Sequence, residues 1–178
     1  MGTRFGAPPG PEVRVITMLS VAILLVVPVP LVVTAVGRAQ QLGIGAAVLI
    51  ALAGLDLAIL GVAYLLAPTG YVITPSRGIT ILRHGPNIAI PAETITGAEC
   101  DRDGAIFRGA VRVSASGGAF GFYGLFDKAG VGLFRAYATR RSPAVIIRRT
   151  SGGPLVLTPD DPGRFLALLG HPRPGSGP

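Results

Sequence analysis

Side chains able to do chemistry are few and scattered in this chain. His84 and His171 lie far apart with no further ligand at metal-site spacing, and Cys100 is the sole cysteine. Neither a disulfide nor a thiolate metal site is therefore available within one chain, and a lone thiol suits a reducing compartment. No Gly-x-Ser-x-Gly elbow, phosphate-cradling loop or metalloprotease helix occurs. Asp160 and Asp161 follow Thr158-Pro159 and read as the acidic first turn of a helix. No catalytic residue, metal or cofactor is expected.

The remaining candidates point to binding. Phe120, Phe122, Tyr123 and Phe126 fall in one short run, separated by Gly121 and Gly124. Glycine lets backbones approach closely, and aromatic rings supply contact area at little entropic cost. The run reads either as a protruding loop that docks a partner or touches a membrane interface, or as a segment folded onto the core. Arg135, Arg140, Arg141, Arg148 and Arg149 are close in sequence and make a candidate basic patch. Beside an anionic leaflet each contributes about 1 kcal/mol, falling off within a Debye length. The competing reading is that strand alternation splits Arg148 from Arg149 and leaves these side chains solvated. Asp56 is the third candidate, the one charge in a long apolar stretch.

The elements that must position these residues divide the chain in two. Val15 to Gly37 and Leu42 to Ala67 are apolar runs broken only by Asp56, joined by Arg38-Ala39-Gln40-Gln41. A bilayer core takes about 20 apolar residues as a helix, so each run is long enough to cross once. The expectation is a transmembrane α-hairpin with spans at 15–37 and 42–67 and an extracytoplasmic turn at 38–41. Near the spans Arg4, Arg14, Arg77 and Arg83 face only Arg38, and the positive-inside rule puts both termini in the cytoplasm and the turn outside; the expected location is the plasma membrane. This topology accounts for the basic balance without nucleic acid as a partner. A cleaved signal peptide is the rival for the first run, but the run exceeds an ordinary apolar signal region and a second span comes at once.

Within the second run Ala47, Ala51, Gly54, Ala58 and Gly61 repeat at spacings of four and three, forming a small-residue stripe that permits close helix approach. Its natural partner is the first span, with Asp56 on the opposite side. Asp56 then contacts a second copy or another membrane protein. Alternatively it bonds carbonyls freed by Pro28 and Pro30, or lies on a proton or ion path. Tyr64 and Tyr71 bracket the end of the second span. Pro68-Thr69-Gly70 is too short a link to let the C-terminal part of the chain swing away from the bilayer.

Beyond this link, strand signals run over 71–74, 79–83, 87–90, 94–101, 131–139, 144–150 and 154–157. Thr158-Pro159-Asp160-Asp161 reads as a helix start with Thr158 as cap. Phe165, Leu166, Leu168 and Leu169 give that helix an apolar face, and Gly170 ends it. Residues 1–14 read as a cytoplasmic N-terminal segment, and 170–178 as a disordered tail. The strands, the closing Thr-Pro-Asp-Asp-Pro string at 158–162 and the Gly-Phe-Tyr-Gly run at 121–124 resemble the bacterial pleckstrin-homology-like domains over about 70–169. The resemblance implies an α+β domain, a seven-strand bent antiparallel sheet or barrel capped by a C-terminal helix, with a binding or scaffolding role and no catalysis. It departs from lipid-binding relatives in the first strand turn, where Arg77 stands alone, so phosphoinositide recognition is not expected. The combined expectation is a membrane-anchored module that binds a protein partner, with homo-oligomers possible. The alternative is an accessory subunit of a transporter or envelope complex, contacting its partner through the hairpin at Asp56.

Overall fold

Alternation puts Tyr71 and Ile73 of one strand and Ile79 and Ile81 of the next on a common buried face. In the computed structural model, which describes residues 2–26 and 28–170, these strands are β2 (Pro68–Ile73) and β3 (Ile79–Arg83). With β1 (Thr3–Gly6) and β4 (Ile88–Ile90) they form a four-stranded antiparallel sheet in the order β1-β2-β3-β4. A six-stranded sheet holds β5 (Ile95–Asp101), β6 (Val111–Gly118), β7 (Gly121–Lys128), β8 (Gly132–Ala138), β9 (Ala144–Arg149) and β10 (Leu155–Leu157), ordered β5-β9-β10-β8-β7-β6.

The seven expected strands correspond to β2, β3, β4, β5, β8, β9 and β10; the described residues add β1, β6 and β7. The expected single antiparallel sheet is corrected too, because β10 runs antiparallel to β9 but parallel to β8. The three extra strands lack an apolar alternation that sequence can read. In β6 the apolar Val111 and Val113 are exposed, β7 is diluted by glycines, and β1 is only four residues long.

Two cores lie on opposite faces of the six-stranded sheet. The first fills the space between the sheets, with Phe5, Tyr71, Ile79, Ile81, Val145, Ile147, Leu155 and Leu157 closed over by Phe165, Leu166 and Leu169 of α5 (Pro162–Leu169). The second packs Phe122, Phe126, Phe134, Ala136, Ala138 and Val156 under Val13 and Ile106. Helix α5 starts later than expected. Its cap is Asp161, whose Oδ1 accepts from the Arg164 N–H at 2.9 Å, with Pro162 in the first turn. Thr158 cannot cap because it is fully buried and its hydroxyl accepts from the Thr139 N–H at 2.9 Å.

The segment 1–14 is not separate from the domain. Thr3–Gly6 pairs with β2 from Thr3↔Ile73 to Gly6↔Gly70, and the Asp160 N–H donates to the Gly6 carbonyl at 2.9 Å. Gly70 is required there, since a Cβ would sit 2.7 Å from the Phe5 carbonyl oxygen. Phe5 is 3% exposed and meets Phe165 edge-on at 5.0 Å. The helices are thus inserted between the first two strands of the sheet.

Those helices are α1 (Pro11–Val26), α2 (Pro28–Gly37), the short α3 (Ala39–Leu42) and α4 (Ile44–Leu66). The stretches Pro11–Gly37 and Ile44–Leu66 are long and apolar enough to cross a membrane. Their most apolar windows are 0% and 11% buried. The first helix begins at Pro11 rather than Val15. Gly43, at φ +54, reverses the chain into α4.

Of the two arrangements expected for α4, the structure has the one that turns Asp56 toward the first span, not the one that packs the small-residue stripe against it. Ala46 and Ala53 are buried, with Leu49, Asp56, Leu60 and Ala63 half-buried on the same seam. Ala47, Ala51, Gly54, Ala58 and Gly61 are exposed, and a Cβ added at Gly54 or Gly61 meets nothing within 4 Å. Asp56 therefore faces into the hairpin and the small stripe faces out. The seam places Ala46 and Ala53 at the contact, so small residues still line it, but a different set. The tail 171–178, including His171, lies outside the described residues.

If β1 is structural, Phe5→Ala should destabilise the full chain by about 3–5 kcal/mol, the usual range for emptying a buried aromatic site. Urea unfolding followed by near-UV circular dichroism reads this directly; unchanged stability would make β1 an appendage.

Candidate functional site: the joint between hairpin and sheets

The last four carbonyls of an α-helix have no donor within the helix. At the end of α4 the β domain supplies part of what is missing. The Tyr123 hydroxyl donates to the Ala63 carbonyl at 2.6 Å, and the Gly85 N–H donates to that of Leu65 at 2.8 Å. The Ala67 N–H closes on Tyr64 at 3.2 Å. Around the start of α1 the same logic recurs. The Gly10 N–H donates to the Thr139 carbonyl at 2.8 Å, and the Thr139 hydroxyl donates to that of Pro8 at 2.9 Å. Glu12 accepts from the Arg141 N–H at 3.2 Å, and Thr17 Oγ1 accepts from the Phe120 N–H at 2.8 Å. Both hairpin ends are bolted to the sheets rather than tethered.

Between these bolts lies a cavity of about 370 Å³. Its lining is mostly apolar, with Val13, Met18 and Phe120 among its walls; Arg14 and His84 bring the nitrogen-bearing side chains. The His84 ring stacks on Tyr64, centroids 4.0 Å apart and planes 17° from parallel, while Phe120 meets Tyr64 edge-on at 5.6 Å. Phe120 holds φ at +60, a strained conformation for a bulky residue that costs about 1–3 kcal/mol and needs surrounding contacts to persist. The Thr17 hydrogen bond and the Tyr64 edge contact are those contacts.

The aromatic run is not a protruding loop. Phe122, Tyr123 and Phe126 are 5%, 5% and 3% exposed in β7, Phe126 stacking on Phe134 at 5.5 Å, so they offer no free docking surface. Phe120 alone of the run reaches the cavity. Burial raises the Tyr123 pKa, opposed by Ser116, keeping the phenol a donor for Ala63.

The five arginines do not make one patch either. Arg148 pairs with Glu99 at 3.1 Å on one face of β9, an exposed bridge worth about 0–1 kcal/mol. Arg149 faces the other way and donates to the Gly152 and Gly153 carbonyls; burial and then Arg135 lower its pKa. Arg140 donates to the Pro159 carbonyl, and Arg141 lies 5.2 Å over the Phe122 ring. Burial pushes the Cys100 thiol up, with Arg102 opposing, which is not the environment of an activated nucleophile. Among the described residues no group of three or more His, Cys, Asp or Glu could hold a metal.

Sequence reading missed Arg14, Thr17 and Thr139 as joint residues. Tyr64 carried a signal as an aromatic at the end of an apolar run, and Phe120 and Tyr123 as members of the aromatic run.

A buried chain of hydrogen bonds ties the joint to the first core. Thr139 bonds Thr158, the Thr158 N–H donates to the Tyr71 oxygen at 3.2 Å, and the Tyr71 hydroxyl donates to the Tyr137 carbonyl at 2.6 Å. Burial pushes the Tyr71 pKa up to about 12, against the pull of Thr158 and Arg140. The unfolded chain ionises near 10, so the folded state holds this proton more tightly. Its contribution is complete below about pH 10 and is lost as pH rises through about 12, roughly 2–3 kcal/mol in all. Unfolding measured across that window should show the loss, and Tyr71→Phe should flatten the slope while lowering stability at neutral pH by about 1–3 kcal/mol. An unchanged slope would refute the role given to this phenol.

A protein-family model described as Bacterial PH domain matches residues 62–171. Neither a curated protein nor a solved structure matches the chain. The match begins in the last turn of α4, where the joint begins, and takes in every strand after β1 together with α5. With well over half its length matched, and with strands closed by a C-terminal helix as that family implies, the chain belongs to the bacterial PH domain family.

Proposed function

We propose that the chain is a membrane-anchored PH-like binding module without catalysis. Its hairpin crosses the plasma membrane twice and holds the domain at the cytoplasmic face, where it engages a protein partner. The observation that carries the reading is the pairing of β1 with β2 across the inserted helices. A strand before the hairpin and a domain after it share one sheet, so both lie on the same side of any membrane the helices cross. Two crossings meet that condition; a cleaved leader would remove β1 and Phe5 with it. Arg4, Arg14, Arg77 and Arg83 against Arg38 support the cytoplasmic side.

Partner binding draws on β6, which closes one edge of the six-stranded sheet. Val111, Val113 and the nearby Leu133 are 66%, 56% and 53% exposed, and an unpaired strand edge flanked by apolar side chains suits addition of an extended segment. The accessory-subunit reading draws instead on the outward stripe of α4, with Gly54 and Gly61 open to a neighbouring helix.

Tags placed at the two termini should be protected from protease on the same side of sealed vesicles, and the chain should resist alkaline carbonate; opposite sides or extraction would refute the anchor. Val113→Pro should abolish crosslinking to the partner without changing the unfolding midpoint, while Gly54→Ile should leave that crosslink intact. The reverse pattern favours the accessory subunit.

A further inference from the structure

We propose that the joint cavity takes one anionic phospholipid from the leaflet bordering the domain, its phosphate at Arg14 and His84 and the first part of an acyl chain against Val13, Met18 and Phe120. The inference rests on the anchored reading of the hairpin. Four observations converge on it. The cavity lies between the start of α1 and the end of α4, which places its mouth at the depth of lipid headgroups once the helices span. Its volume of about 370 Å³ falls within the roughly 300–1,000 Å³ of small-molecule sites. Its walls are mostly apolar, which suits a hydrocarbon chain and not a free polar metabolite.

The fourth observation is charge. The one ion pair among the described residues joins Arg148 to Glu99, so Arg14 has no carboxylate partner there. A guanidinium matches phosphate oxygens in fork geometry, and an imidazole N–H adds a donor. His84 is held in orientation by its stack on Tyr64, and Phe120 is held in a strained backbone conformation, as ligand-clamping residues often are. The site lies apart from the first strand turn around Arg77, where an inositol phosphate was not expected.

The shared chemistry is a phosphate group, and its source is decided by titrating the full chain in detergent with dioleoyl-phosphatidylglycerol, dioleoyl-phosphatidylcholine or inorganic phosphate, read by native mass spectrometry. One phosphatidylglycerol per chain is expected, retained about five- to tenfold more tightly than phosphatidylcholine. Arg14→Gln with His84→Phe should erase that preference; the phenyl ring keeps the stack on Tyr64, and an unchanged unfolding midpoint certifies the fold. Should the double variant misfold, Arg14→Gln alone, at an exposed position, carries the comparison. Equal retention of both lipids, an undiminished preference in the variant, or displacement of phosphatidylglycerol by inorganic phosphate would overturn the proposal. Flotation with phosphatidylcholine liposomes separates the two readings: a chain that fails to float refutes the anchor, and one that floats without lipid preference refutes only the cavity.

Discussion

A helix that ends at a domain surface leaves carbonyls without donors, and in a poorly hydrated setting each unmet one is costly. In this chain the answer to that constraint organises much of the structure. Tyr123 of β7 and Gly85 of the β3–β4 turn reach the last turn of α4, and Ala67 turns at once into β2. There is no linker to absorb relative motion. The start of α1 is held as firmly, because Thr139 and Phe120 bond to it and Val13 enters the second core. The hairpin and the sheets are thus joined by hydrogen bonds and packing on both sides of their shared boundary.

That junction explains why residues of modest character matter. Thr139 bonds to Pro8 on one side and to Thr158 on the other, and Thr158 reaches Tyr71 under α5. A buried polar chain of this kind is stabilising when each member is satisfied and costly when one is lost. It links the place where the helices enter to the core beneath the C-terminal helix. The cavity sits beside this chain, with Thr139 in its wall, so an occupant would bear on both.

Legibility in the sequence tracked the range of the interaction. Seven strands were readable where apolar and polar residues alternate toward a core, as in Tyr71–Ile73 and Val145–Ile147. Strand β1 was not, since Thr3-Arg4-Phe5-Gly6 gains its place only by pairing with residues some 70 positions later. The aromatic run was visible as a group but not its burial, because Phe126 is covered by Phe134 and Phe107 from other elements. Thr158 looked like a helix cap by local pattern; a long-range bond to Thr139 claimed its hydroxyl and moved the cap to Asp161.

By itself the sequence determined two apolar helices joined by a tight turn, a strand-rich domain closed by a short helix, and a chemistry poor in catalytic groups. These depend on run length, alternation and composition, which are local properties. Only the tertiary structure decided which side of α4 faces α2, turning Asp56 inward and the Ala47–Gly61 stripe outward. It alone also placed β1 in the sheet and brought Arg14, His84 and Phe120 around one cavity. The rotation of a helix about its axis and the pairing of a strand are set by contacts between residues distant in the chain, and no window of sequence contains them.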